Sequence, residues 1–195
     1  GPGDPTPELD DLTRGMFLAA KLADPTRPVL DVSGYSHRVP ETDLYDAHDY
    51  EQDPAAFAQR HAGAAAGRPF IKRDAGRETS VPYRGQPYFV SEFGGIWWDA
   101  ALAQAAAGGE QAGSDKSTSW GYGRRPADIE EFYARFEGLC AALLHNPGVF
   151  GYCYTQLTDV FQETNGLYTF DREPKFDLQR LAAVQRRPAA IEGEG

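Results

Sequence analysis

The chain has 195 residues, a mass of 21.4 kDa and a formal net charge of −10, which is enough for one domain with a sizeable core. A composition of 41% hydrophobic and 12% aromatic residues excludes a disordered tail, a coiled coil and a collagen-like fibre. No apolar run approaches the roughly 20 residues of a membrane span, and acidic charge without a basic stripe disfavours nucleic acid and anionic membranes as partners.

Hydrophobic spacing predicts a succession of helices and strands along the chain. In chain order, the predicted elements are a helix over Glu8–Ala23, strands over Val29–Gly34 and Asp43–Tyr50, a short helix over Phe57–Ala66, a strand over Pro87–Gly95, a helical turn over Ala100–Ala107, a long loop over Gly108–Arg125, a helix over Ala127–His145, a strand over Val149–Leu157, a helix over Asp177–Gln185 and a frayed tail over Arg187–Gly195. The strands are continuous apolar runs, which are typical of a parallel sheet covered by helices. The predicted fold class is therefore α/β.

Each predicted strand ends in polar or aromatic residues. They are Ser33, His48 with Tyr50, Glu92, and Tyr154 with Gln156. Functional groups of parallel α/β sheets gather beyond the carboxyl ends of the strands. The sequence therefore predicts a functional site at this edge of the sheet.

The strand over Tyr88–Gly95 carries one carboxylate near its end. Strict alternation places Tyr88, Val90 and Glu92 on the same side of that strand. A carboxylate among apolar residues costs free energy unless it is hydrogen-bonded or functional. A salt-bridged strand end is the alternative, but the glycine pair that follows is expected to leave room for a ligand. Glu92 is thus the leading candidate for chemistry.

The segment Ser91–Gly95 resembles the nucleophile motif of glycoside hydrolase family 2, the β-galactosidase and β-glucuronidase family. Further segments similar to that family occur in the order that it shows: Asp24–Pro28, Ser33–Gly34, Asp43–Tyr50, Ser119–Gly123, Tyr154–Asp159, Asn165–Tyr168 and Arg172–Lys175. Each segment alone is a weak signal, whereas their number and order make the resemblance specific. It spans the chain from about Leu12 to Lys175.

The resemblance implies a (β/α)8 TIM barrel, of which this chain supplies the second half. A complete barrel has eight strands and typically about 250 residues, and the four predicted strands match strands five to eight of the family. On this interpretation residues 1–186 form the half-barrel, and residues 187–195 form a disordered tail.

The resemblance also implies a retaining exo-β-glycosidase that hydrolyses O-glycosidic bonds with Glu92 as nucleophile. Such enzymes use two carboxylates about 5–5.5 Å apart, and in this family the acid/base is the glutamate of an Asn-Glu pair at the end of strand four. The two asparagines of this chain, Asn146 and Asn165, are followed by proline and glycine. The acid/base is therefore expected upstream of Gly1. The isolated chain is expected to have negligible turnover, because acid/base catalysis contributes about 10²–10⁴-fold at each step.

Two residues at the end of the second predicted strand match positions near the family's nucleophile. Tyr50 stands where the family has a tyrosine that hydrogen-bonds the nucleophile, which would hold Glu92 ionised and oriented. His48 lies on the same side of the strand as Tyr50 and is expected to face the sugar. A half-buried aromatic and a structural histidine are the alternatives.

Three aromatic residues are candidates for substrate binding. Trp97 and Trp98 follow the nucleophile and offer a face to sugar C–H groups, with packing against a neighbouring helix as the alternative. Tyr154 lies near the position where many relatives have a tryptophan below the sugar. Trp120 is expected to order the long loop rather than to contact substrate.

A second interpretation is a non-catalytic sugar-binding or scaffolding half-barrel that assembles with another chain. Four βα units leave two open sheet edges, so the missing N-terminal half of the barrel or a second copy of the chain is the expected protein partner. The other partner is a β-glycoside carbohydrate. No metal or cofactor is predicted, because the histidines lack zinc-ligand spacing, and the expected location is cytoplasmic.

Overall fold

The structure is a computed structural model that describes residues 7–100, 102–103 and 119–193. Its helices are α1 (Pro7–Ala23), α2 (Pro54–His61), α3 (Ile129–Leu144) and α4 (Leu178–Gln185), and its strands are β1 (Tyr45–Asp49), β2 (Arg73–Asp74), β3 (Arg77–Glu78), β4 (Tyr88–Gly94) and β5 (Val149–Thr155). Most of the predicted turn over Ala100–Ala107, and of the predicted loop over Gly108–Arg125, lies outside the described residues. The hairpin of β2 and β3 and a 3₁₀ turn at Ala190–Glu192 were not predicted.

Three strands form a parallel sheet in the order β1-β4-β5, with β4 in the middle. The predicted mixed α/β architecture with a parallel sheet is therefore confirmed for these strands. Because the strands are parallel, their carboxyl ends meet at one edge of the sheet.

The predicted strand over Val29–Gly34 is wrong. Side chains, rather than a neighbouring strand, take up its backbone donors: Asp43 Oδ2 accepts from the Val29 N–H at 2.8 Å, and Asp46 Oδ1 accepts from the Gly34 N–H at 3.0 Å. A short apolar run does not reveal whether its backbone groups will meet another strand or a carboxylate. This segment instead forms a loop against β1.

The central strand β4 does not alternate strictly. Tyr88 and Val90 are buried in the hydrophobic core, and so is Phe93, three residues beyond Val90. The pairing register with β5 shifts between Val90 and Phe93, and such irregularities redirect side chains next to functional sites. Glu92 therefore does not share the side of Tyr88 and Val90 as predicted.

The core lies between the sheet and helices α2, α3 and α4. Its buried members include Tyr45, Ala47, Phe57, Val90, Phe93, Phe132, Phe136, Leu139, Leu143, Leu181 and Val184. The helix predicted over Ala127–His145 is confirmed as α3, and Asp128 caps it by accepting from the Glu131 N–H at 2.8 Å. This layer supports β4 from the face opposite to Glu92.

Helix α1 is attached to the loop before β1 through polar contacts. Phe17 is its buried side chain, and Lys21 pairs with Asp43 at 2.8 Å while Asp10 pairs with Arg38 at 2.9 Å. Apolar side chains remain exposed on the helix, namely Leu9, Leu12, Met16, Leu18 and Leu22. In the part of the chain that the structure describes, no helix is both long and apolar enough to cross a membrane.

Candidate active site

Residues from the carboxyl ends of all three parallel strands meet around Glu92. Tyr50, which directly follows β1, donates its phenolic hydrogen to Glu92 Oε2, and its Oη lies 3.4 Å from Thr155 Oγ1 at the end of β5. His48 Nδ1 lies 3.1 Å from the same Glu92 oxygen. The Glu92 side chain is 39% exposed, so a ligand can reach the carboxylate.

The Tyr50 phenol is held in its neutral form. Its burial and its hydrogen bond to Glu92 both raise the pKa of the hydroxyl above its ordinary value. The phenol is therefore a permanent donor toward Glu92 at physiological pH.

The His48 imidazole is also held neutral, although two carboxylates lie near it. Burial lowers its pKa below the ordinary value, and this effect outweighs the opposite influence of Glu92 and Asp46. Nε2 lies 3.1 Å from Ser33 Oγ, whereas Nδ1 is poorly aligned with Glu92 and is a buried atom without a hydrogen-bond partner. His48 therefore contacts Glu92 as a buried neutral ring rather than as a charged partner.

Tyr122 is a member of the site that the sequence analysis did not single out. Its ring stacks on Tyr50 with a centroid separation of 3.4 Å and an interplanar angle of 7°, and its backbone N–H donates to the Gly95 carbonyl at 2.9 Å. The stack fixes the phenol that contacts Glu92. A tyrosine between two glycines, in the Ser119–Gly123 segment, was the available signal.

The glycine pair after Glu92 serves a different purpose from the predicted one. Gly94 and Gly95 have φ values of +78° and +58°, and a Cβ on them would lie 2.3 Å from the Tyr154 ring and 2.5 Å from the Tyr122 ring. Glycine is required there by backbone conformation and by the close approach of two tyrosines. The space is filled by protein rather than left for a ligand.

The two predicted tryptophans make no described contact with Glu92, Tyr50 or His48. Trp98 packs against Phe132 of α3 and against Phe176, which is the packing alternative that the sequence left open. Trp97 is 6% exposed and donates its indole N–H to Ser119 Oγ at 3.0 Å. The Trp120 backbone pairs with Gln162 and Thr164, whereas most of the loop that Trp120 was expected to order lies outside the described residues, so that role stays a prediction.

Tyr154 occupies a packed position at the end of β5. Its hydroxyl accepts a hydrogen bond from the Ile96 N–H at 3.2 Å, and its ring packs against Phe93 and Phe136. The structure therefore brings Glu92, Tyr50 and His48 together, whereas Tyr154 makes no described contact with Glu92. Substrate contact by Trp97, Trp98 and Tyr154 stays a prediction.

Within the described ranges, no group of three or more His, Cys, Asp or Glu side chains is arranged to hold a metal ion. The polar groups around Glu92 are instead donors and acceptors suited to hydroxyl groups.

No protein-family model and no curated protein matches this chain. Solved structures with a similar fold include the β-glucuronidase of Faecalibacterium prausnitzii (19% identity, TM-score 0.55) and the Bifidobacterium dentium β-glucuronidase complexed with coumarin-3-O-glucuronide (16% identity, TM-score 0.55). The agarase AgWH50C is a further neighbour, with 14% identity and a TM-score of 0.52. The matches cover 94%, 97% and 94% of this chain, but only 30%, 29% and 25% of those chains. The chain therefore has the fold of a segment of glycoside hydrolases and spans less than a third of their length.

Proposed function

We propose that this chain is the nucleophile-bearing segment of a retaining exo-β-glycosidase of the family 2 type, and that it forms the second half of a (β/α)8 barrel. The observation that carries the proposal is the Tyr50–Glu92 hydrogen bond at the shared carboxyl edge of the parallel strands. Catalytic groups of such barrels lie at this edge. The glycosidase-like fold of the chain supports the same assignment.

The proposed reaction begins with attack of Glu92 on the anomeric carbon of a β-glycoside. Tyr50 and His48 both contact Oε2, which leaves Oε1 as the attacking oxygen. The bond between the anomeric carbon and the leaving oxygen breaks, that oxygen receives a proton from an acid, and a glycosyl ester of Glu92 forms. Water, deprotonated by the same group acting as base, then displaces the carboxylate, so two inversions give net retention.

The acid/base is proposed to lie upstream of Gly1, because neither asparagine of this chain precedes a glutamate. The proposed protein partner is the N-terminal half of the barrel, with a second copy of this chain as the other candidate. The exposed apolar side chains of α1 and the accessible edge strand β5 of the sheet support an assembly. A cytoplasmic location stays a prediction.

The proposal is tested with 2-deoxy-2-fluoro-β-glycosyl fluorides of glucose, galactose, mannose and glucuronic acid. Fluoride departs without an acid, so the first step needs only the nucleophile. Intact mass and peptide mapping should show a glycosyl adduct on Glu92 of the wild-type chain. The Glu92→Gln variant should form none, whereas the Glu137→Gln variant, whose carboxylate pairs with Arg187 on the surface, should react like the wild type.

An adduct on another residue would contradict the assignment of Glu92. No adduct with any of the four fluorides, together with calorimetric binding of a sugar, would favour the non-catalytic sugar-binding half-barrel instead.

A further inference from the structure

Three buried charged side chains, Asp31, His37 and Asp46 of β1, contact one another in a row, which we call the ladder. Asp31 Oδ1 lies 2.7 Å from His37 Nδ1, and His37 Nε2 lies 3.2 Å from Asp46 Oδ1. All three side chains are at most 1% exposed. Burying such charges costs free energy unless they are paired. Buried charges do not contribute to solubility, so the ladder requires a structural or functional explanation.

The groups that face His37 favour its charged form. Nδ1 bonds the Asp31 carboxylate, whereas Nε2 lies 3.0 Å from the backbone carbonyl of Asp46 and 3.2 Å from its Oδ1. The interactions with both aspartates raise the pKa of His37 to about 9 despite its burial. The Tyr45 ring covers one face, with centroids 4.0 Å apart, and Ser80 Oγ accepts from the His37 backbone N–H. His37 is thus an imidazolium held between Asp31 and Asp46 at neutral pH.

The ladder reaches the candidate site through the other atoms of Asp46. Its Oδ1 accepts from the Gly34 N–H at 3.0 Å, and its Oδ2 accepts from the hydroxyl of Ser91, which precedes Glu92. Asp46 therefore joins the loop before β1 to the strand that carries the nucleophile candidate.

The segment Ser33–Gly34 is pressed against His48. Ser33 Oγ lies 3.1 Å from His48 Nε2, and a Cβ on Gly34 would lie 2.0 Å from the imidazole. This segment excludes water from His48, and Asp46 holds it in place.

We propose that His37 is a positioning residue of the Glu92 site, which acts through Asp46 to hold Ser33–Gly34 on His48 and so fixes the neutral imidazole beside Glu92. The kinetic consequence rests on the proposed function, whereas the consequence for His48 itself does not. Loss of the His37 charge leaves the Asp46 carboxylate uncompensated and loosens the segment over His48. Both changes raise the pKa of His48. Water that reaches the imidazole solvates its charged form, and the uncompensated Asp46 carboxylate stabilises that form more strongly.

The test compares His37→Gln with His145→Gln in the full chain, since His145 is an exposed residue at the end of α3. The chain has four histidines, so an NMR titration of their Cε1–H signals follows each one separately. In the wild type, His48 should titrate below the ordinary value and His37 well above it. His37→Gln should move the His48 titration upward, and His145→Gln should not.

Covalent trapping by the activated fluorides gives the second measurement. We expect His37→Gln to reduce the rate constant of the bond-forming step by about 10- to 100-fold, as small misplacements of reacting groups do, with little change in reagent affinity. If His37→Gln does not fold, Asp31→Asn tests the same ladder with a side chain of equal size, and the His48 titration should again move upward.

A purely structural role is the outcome that would overturn the proposal. In that case His37→Gln lowers the melting temperature, while the His48 titration and the trapping rate constant match those of His145→Gln. If the wild type forms no adduct, the proposed function fails, but the His48 titration still decides the role of His37.

Discussion

Tyr50 is placed by contacts on two sides of its ring. Its hydroxyl donates to Glu92, and its ring face lies on Tyr122. A hydrogen bond to a charged group contributes about 1.5–3 kcal/mol, which corresponds to a substantial effect on any step in which Glu92 acts. The stack ensures that the donor points at one carboxylate oxygen.

We expect Tyr50→Phe to slow covalent trapping at Glu92 by about 10- to 100-fold, because one hydrogen bond to the carboxylate is lost while the stack remains. The rate of adduct formation by intact mass measures this effect. Tyr152→Phe is the matched control, since the Tyr152 hydroxyl bonds Gln185 on α4 at 2.7 Å. Equal rates for both variants would show that the Tyr50 hydroxyl does not assist Glu92.

At the scale of elements, helix α3 and the wrongly predicted strand over Val29–Gly34 differ in where the hydrogen-bond partners of their backbone groups lie. The capping aspartate of α3 and its apolar stripe are local features, so sequence spacing was sufficient to predict that helix. The segment Val29–Gly34 has a strand-like composition, but its donors meet Asp43 and Asp46 instead. The local pattern does not distinguish a strand from this loop, because both arrangements give the backbone N–H groups hydrogen-bond acceptors.

The edge strand β5, in which every residue after Val149 is exposed or half-buried, and the exposed apolar residues of α1 lead to a prediction about assembly. Unpaired strand edges and exposed apolar side chains favour association. Light scattering after size exclusion should show the chain as a dimer or larger assembly, or as a complex with the upstream half of the barrel when that half is added.

The charge substitution Leu12→Glu on α1 should weaken this association more than Ile191→Glu, which alters the exposed 3₁₀ turn near the end of the chain. If the wild-type chain is a monomer both alone and after the upstream half of the barrel is added, the predicted assembly is refuted.

At the scale of the whole molecule, the buried ladder couples stability to pH. The folded pKa of His37 is raised from its ordinary 6.5 to about 9, so its contribution to stability is fully present below about 6.5 and is lost as the pH rises through about 9. Asp31 has a lowered pKa, so its contribution is present above the ordinary value of about 3.9 and is lost as the pH falls below it. The ladder stabilises the fold most in the interval between these limits.

We therefore expect the free energy of unfolding in urea to fall between pH 6.5 and 9 more steeply for the wild type than for His37→Gln. Unfolding curves at several pH values in this interval provide the measurement, and the difference between the two proteins removes the contribution of other titrating groups. Parallel pH profiles for the two proteins would mean that His37 is not charged in the folded state.

The sequence by itself determined four helices, three paired strands and the placement of Glu92, Tyr50 and His48 at one sheet edge. Periodicity and parallel-strand geometry are local or near-local properties, and they require no knowledge of distant partners. The tertiary structure alone decided the rest: the side of β4 on which Glu92 lies, the burial of Trp98 against α3, the stack of Tyr122 on Tyr50 and the Asp31–His37–Asp46 ladder. Trp98 meets Phe132, and Tyr50 meets Tyr122, across long stretches of the chain. The members of the ladder are close in sequence, but they meet because Val29–Gly34 forms a loop against β1 instead of a strand, and only packing decides between these two arrangements.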